Sequence, residues 1–127
     1  MNDLVLCDTN IFIEILKKNE TIRSELYIIG VDDTLTCDTV NAELIFGAKD
    51  KQELFGIKNF LNNYSSLSIQ PEISKKAINL MENYSLSHKL SFPDALIAAT
   101  ALHHNVELFT LNTKDFRFIP NLKLYQI

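Results

Sequence analysis

The sequence predicts an α/β fold in three layers, a central, mainly parallel sheet flanked by helices. Three observations carry this expectation. Short apolar runs that end at polar residues recur at 4–7, 34–37 and 107–110, the pattern of strands buried on both faces. Longer segments with helical periodicity lie between them, and strands alternating with helices pair in parallel through crossover connections. The chain has 127 residues, 46% of them hydrophobic, with only 3 Gly and 3 Pro. That is the length of one domain, residues 1–127, and the composition argues against disorder.

The first strand, 4–7, ends at Asp8. A helix is expected through Ile11, Phe12, Ile15 and Leu16, before the chain turns polar at 17–20. A second helix covers 22–29 and is closed by Gly30. After the strand at 34–37, Asp38 or Thr39 can cap the helix that carries Glu43. A longer helix is expected from about 51 to 64, with Leu54, Ile57 and Leu61 on one stripe and Phe55 pointing away from it. Residues 67–69 read as a short strand, and Pro71 opens a helix through Ile78, Leu80 and Met81. Between 95 and 102 every residue except Thr100 is small or apolar, so that helix is buried on most sides. Asn105 can take the left-handed conformation at its end. The third clear strand is 107–110, and 122–125 is a last one.

Composition excludes several classes of function. The formal net charge is −4 with a pI near 5.3, which by itself argues against a nucleic-acid binder. The balance reverses if bound metal neutralises several acids, because the remaining Lys and Arg then set the local field. The opening Met1-Asn2-Asp3 has no basic stretch of a secretory signal, and no apolar run approaches the ~20 residues of a membrane span. Cys7 and Cys37 lie in separate apolar segments without CxxC spacing, the pattern of two reduced, buried thiols in a cytoplasmic protein.

Four acids stand where this topology converges. Residues just after a parallel strand, and those in the first turn of the following helix, fall at the carboxyl edge of the sheet, where ligands bind. Asp8 ends the first strand, Glu43 lies early in the helix after the second, Asp94 starts the buried helix, and Asp115 follows the third strand. Taken singly, Asp8 reads as a helix cap, Asp94 as part of a Ser91–Asp94 capping box, and Asp115 as part of a turn capped by Asn112. Glu43 has apolar neighbours all round its helix and needs a partner or a role. Gathered together, the acids repel. One pair at ~5 Å costs roughly 3 kcal/mol at an effective dielectric near 20, and a hard divalent cation such as magnesium relieves that repulsion.

The Asp8-Thr9-Asn10 opening, the segment from Thr39 to Ala48 around Glu43, the run from Pro93 to Leu102, and Thr110-Leu111-Asn112-Thr113-Lys114-Asp115-Phe116 resemble the ordered signature blocks of PIN domains. The similarity is greatest to VapC-like ribonuclease toxins of bacterial toxin–antitoxin modules. It implies a PIN-like fold in which Asp8, Glu43, Asp94 and Asp115 hold Mg²⁺ or Mn²⁺ and catalyse RNA cleavage, supported by Asn10, Thr110 and Asn112. It also implies an RNA substrate, a homodimer and a cognate antitoxin that blocks the site. Asn105 stands where the family often has Gly.

Hydrolysis of RNA needs a nucleophilic water and a stabilised phosphate, both of which carboxylate-bound metal supplies. His88, His103 and His104 lie in polar flanks or at a helix end and read as surface residues, while Lys49 and Lys114 are candidates for contact with backbone phosphate. Receiver domains and haloacid-dehalogenase phosphatases share the alternation, but the former need an acidic pair after strand one and the latter Asp-x-Asp, which Asn10 breaks. A PIN fold acting only as an RNA- or protein-binding module is the alternative. The apolar surplus of the segment 54–61 fits either a helix buried on two sides of its own core or a partner surface; the resemblance implies the latter, a groove near Phe46 and Phe55 for an antitoxin segment.

Overall fold

The computed structural model describes residues 3–127; Met1 and Asn2, part of the amino terminus read as lacking a basic leader, lie outside them. In chain order the elements are β1 (Val5–Cys7), α1 (Thr9–Leu16), α2 (Glu20–Ile29), β2 (Thr34–Cys37), α3 (Asp38–Phe46), α4 (Lys51–Leu61), β3 (Ser65–Leu67), α5 (Pro71–His88), α6 (Phe92–His104) and β4 (Glu107–Phe109). Two 3-10 turns, Val31–Asp33 and Thr113–Asp115, complete the set. The four strands are all parallel in the order β3-β2-β1-β4. Leu6 faces Leu35 on one side and Leu108 on the other, so β1 is central. The six helices flank this sheet, as the alternation predicts.

Local chemistry explains most boundaries. Every residue of β1 and β2 is buried, as a parallel sheet covered on both faces requires. Gly30 closes α2 at φ +94° with its N–H on the Leu26 carbonyl at 2.8 Å, a conformation that favours glycine. Asn105 ends α6 in the left-handed region at φ 53°. Residues 95–101 of α6 are all buried, because alanines let neighbouring backbones approach closely. Phe12, Phe109, Phe116, Leu6 and Ile97 fill the centre of the core. No helix among the described residues is long and apolar enough to cross a membrane.

The structure corrects several expectations. The strand expected at 67–69 runs instead over Ser65–Leu67 at the sheet edge; its serines carry no apolar pattern to set the register. Residues 122–125 form a single bridge, Leu108 to Leu124, held by Leu108 N–H on the Lys123 carbonyl and Tyr125 N–H on the Leu108 carbonyl, both 2.8 Å. The helix expected to reach residue 64 stops at Leu61, and the one opened by Pro71 continues to His88. Neither Asp38 nor Thr39 caps α3. Cys37 occupies the cap position without a side-chain bond, the Asp38 carboxylate accepts the Ile69 N–H at 2.9 Å, and the Thr39 hydroxyl is buried with no partner. Asp38 is thus spent on pinning the chain just beyond the β3 edge strand.

Candidate active site

The sheet order reverses at β1: the chain moves from β1 to β2 and β3, then returns to place β4 on the other side of β1. The carboxyl end of β1 is therefore the topological switch point, where such sheets leave a crevice. Asp8 occupies it. Its N–H donates to the Phe109 carbonyl at 2.9 Å, tying the ends of β1 and β4 together. One carboxylate oxygen accepts the Thr9 N–H at 2.8 Å, capping α1, and the other accepts the Thr110 hydroxyl at 2.7 Å. Asp8 is thus both the cap and the centre of the polar site, and it is buried.

The expected supporting residues are present in the same network. Thr110 Oγ1 accepts the Asn112 N–H at 3.1 Å, and Asn10 Oδ1 accepts the Leu111 N–H at 3.3 Å. The loop after β4 is thereby laced to the start of α1, and this loop leads into the turn that carries Asp115. Asn112 acts there through its backbone: its carbonyl accepts the Asp115 N–H at 2.9 Å, and its side chain makes no cap. Ser91 Oγ accepts the Asp94 N–H at 3.4 Å, so the capping reading holds for the Asp94 backbone, and Ser91 also lowers the carboxyl pKa through a side-chain hydrogen bond. Sequence reasoning missed Thr9, whose hydroxyl donates to Glu43 Oε1 at 2.6 Å. Its place beside Asp8 in the opening triplet was the available signal.

The four acids share one field. Burial raises the Asp8 pKa against the lowering effect of its hydrogen bonds, and Glu43 and Asp115 raise it further. Asp94 is pushed up to about 6, first by burial and then by the charges of Asp8, Asp115 and Glu43. Among the described residues none of the four pairs with Lys or Arg; the ion pairs there are Lys17–Glu14 and Arg23–Glu20. Nor do three metal-ligating side chains converge into a closed set among them. Glu43 and Asp115 stand exposed at the rim, Asp94 is half-buried, and Asp8 forms the floor. The donors are all carboxylate oxygens, with repulsion that no protein cation offsets. That chemistry fits a hard divalent ion.

Lys49 and Lys114 are exposed, as expected. His103 is exposed, but His104 is not the surface residue expected: it is half-buried and its Nε2 is buried without a partner. Cys7 and Cys37 are buried free thiols. A cavity of about 700 Å³ opens at the opposite, amino-terminal ends of β1 and β4, beside Val5 and Glu107. None of the four acids lines it. A smaller cavity of about 310 Å³ runs between α1, α3 and α4, lined by Ile13, Leu16, Leu44, Gly47 and Ile57 and reaching Glu43.

Comparisons with known proteins bear on the family and the fold. The PIN-domain family model matches residues 5–121. Ribonuclease VapC10 of Mycobacterium tuberculosis is 30% identical, over 94% of this chain and 91% of its own length. Among solved structures, a toxin–antitoxin complex from Klebsiella pneumoniae contains a chain 30% identical, with a TM-score of 0.79 and coverage of 97% of this chain and 99% of that one. VapBC2 from Rickettsia felis, bound to a DNA fragment from its promoter, has a chain 26% identical with a TM-score of 0.82, covering 96% and 97%.

Proposed function

We propose that this chain, which belongs to the PIN-domain family, is a metal-dependent endoribonuclease acting as the toxin of a toxin–antitoxin pair. The observation that carries the reading is Asp8 at the switch point. Both of its oxygens are fixed by hydroxyl and amide donors, and it lies in the field of three further acids with no protein cation among them. The ribonuclease relative and the toxin–antitoxin complexes support the same activity and setting. The whole chain, 1–127, is taken as one PIN domain of a cytoplasmic homodimer.

Asp8 and Asp94 would be the principal ligands of Mg²⁺ or Mn²⁺, with Glu43 and Asp115 completing the set from the rim. The ion, when bound, polarises a phosphate oxygen and makes a coordinated water nucleophilic near neutral pH. The chain's own residues supply the preorganisation. Thr110 and the Thr9 amide hold the Asp8 carboxylate in one orientation. The Thr9 hydroxyl holds Glu43 toward α1. Asn10 fixes the loop that presents Asp115, and Lys49 and Lys114 would meet backbone phosphates. Hydrolysis forms one P–O bond from water and breaks one ester bond, and the ribose oxygen that leaves takes up a proton while the other proton of the water passes to solvent.

The antitoxin reading rests on the cavity between α1, α3 and α4, whose apolar lining reaches Glu43. Phe46 is 91% and Phe55 67% exposed on the helices beside it, although neither lines it. An apolar antitoxin segment lying there would bring a basic side chain to the acids.

The test is RNA cleavage by purified chain freed of antitoxin. Mg²⁺ or Mn²⁺ supports cleavage, EDTA abolishes it, and Asp8→Asn is inactive. Cleavage that persists both in excess EDTA and in Asp8→Asn sinks the mechanism.

A further inference from the structure

A cluster of rings joins two segments of the chain that carry candidate acids. His88, the last residue of α5, stacks on Phe118 with centroids 4.0 Å apart and planes 13° from parallel. Tyr84 packs against both, 5.2 Å from Phe118 and 5.9 Å from His88 in an edge-on arrangement. A hydrogen bond of 2.7 Å joins the Ser87 hydroxyl to His88 Nδ1 and fixes the ring's rotation. Phe118 stacks on the imidazole, yet His88 stays exposed. A histidine serving only to close the core would not stay exposed.

Both halves of the stack adjoin candidate acids. His88 leads through Lys89, which turns the chain at φ 55°, into the segment that starts α6 and carries Asp94. Phe118 follows the turn that carries Asp115. The stack therefore locks together the two segments that present these acids. Phe92, the first residue of α6, is 43% exposed on the same connection. Lys89, Lys114 and Arg117 surround the rings along the chain; all three are exposed, and none is in an ion pair among the described residues. In a chain of net charge −4, these three cations without ion pairs flank the rings in sequence. An exposed ring flanked by unpaired cations suits single-stranded nucleic acid, with a base on the ring and phosphates on the cations.

We propose that His88, backed by Phe118, is a base-stacking subsite for the RNA strand next to the cleaved phosphate, with Lys89, Lys114 and Arg117 holding the flanking phosphates. This rests on the ribonuclease reading and names part of the substrate path for it. Stacking on an exposed ring is tolerant of base identity, so this subsite contributes affinity and placement rather than sequence choice.

Fluorescence anisotropy with a labelled single-stranded RNA 12-mer tests this, in an Asp94→Asn background that does not cut the probe. His88→Ala weakens binding about fivefold or more, as loss of one base stack does, while His88→Tyr, which keeps a flat ring, stays within about twofold of the parent. A strand of abasic ribose phosphates binds the parent and His88→Ala alike. Lys114→Ala and Arg117→Ala each lower the slope of log affinity against log salt by about 0.7. The subsite is overturned if His88→Ala binds RNA like the parent, if His88→Tyr loses as much as His88→Ala, or if the parent binds no RNA. Should His88→Ala melt early, His88→Tyr and the abasic strand decide. Weakened antitoxin binding with RNA affinity unchanged would assign the rings to the protein partner and overturn the proposal as well. Cleavage by the otherwise unaltered chain is scored separately. If it cleaves while the His88 variants behave like the parent, the subsite falls and the nuclease stands; if it neither binds nor cleaves, both fall.

Discussion

Thr110 does two jobs with one hydroxyl: it donates to Asp8 Oδ2 and accepts from the Asn112 N–H. Thr110→Val keeps the shape and removes both bonds, leaving a buried carboxylate oxygen short of a donor. The expected loss is roughly 1–3 kcal/mol of stability, read as a lower urea midpoint, together with a large fall in RNA cleavage. Thr110→Ser retains most of both. A Val variant as stable and active as the parent would show that Asp8 needs no second donor. Thr39 predicts the opposite sign. Its buried hydroxyl has no partner, so Thr39→Val removes an unsatisfied polar group and raises stability by about 1 kcal/mol in the same assay; a destabilised variant would reveal a partner, such as bound water. Asp8 and Thr110 were legible because strand ends are visible in the apolar pattern. The Thr39 orphan was not, because spacing places a residue at a cap without revealing that Asp38 would be drawn away to Ile69.

At the scale of elements, the strands with all residues buried were readable, and the edge was not. β2 falls where its apolar and β-branched run ends, whereas β3 slid two positions because Ser65 and Ser66 have no buried face to set their place. The helix α3 carries the partner prediction. Leu44 packs into the core, but Ile45 and Phe46 face outward, 40% and 91% exposed, so the helix that holds Glu43 also presents apolar surface. On α4, Ile57 and Leu61 are buried as the stripe predicted, and Phe55 is exposed. Phe55→Ser should therefore fold and cleave RNA normally while binding antitoxin more weakly, by about 1–2 kcal/mol for loss of a partly buried ring at an interface. Calorimetry against the antitoxin decides this. Unchanged affinity assigns Phe55 to idle surface, and an unfolded variant assigns it to the core.

The molecule as a whole keeps four like charges at one edge of its sheet, and this sets how its stability depends on pH and metal. In the metal-free protein the Asp94 pKa is raised to about 6 by burial and by the other acids, and that of Asp8 is raised too. Between pH ~4 and ~6 the folded state therefore binds more protons than the unfolded chain. The sign follows: this contribution is fully present below the unfolded pKa near 3.8 and is lost as pH rises through about 6. In EDTA the melting temperature should fall between pH 5 and pH 7, and Asp94→Asn should flatten that fall, because an amide has no proton to lose. A divalent ion reverses the slope, since it binds the ionised carboxylates, so its stabilisation should grow across the same interval. At a free concentration a hundred times the dissociation constant it adds about 2.7 kcal/mol, a shift of roughly 10 °C for a domain of this size. Thermal melts of both proteins at pH 5, 6 and 7, with EDTA or millimolar Mn²⁺, measure every part of this. If the two proteins show the same EDTA profile and Mn²⁺ shifts neither, the acids are not coupled through a shared metal site. If Asp94→Asn flattens the profile but Mn²⁺ leaves the wild type unmoved, the repulsion is real and the cluster lacks the affinity that metal-dependent cleavage requires.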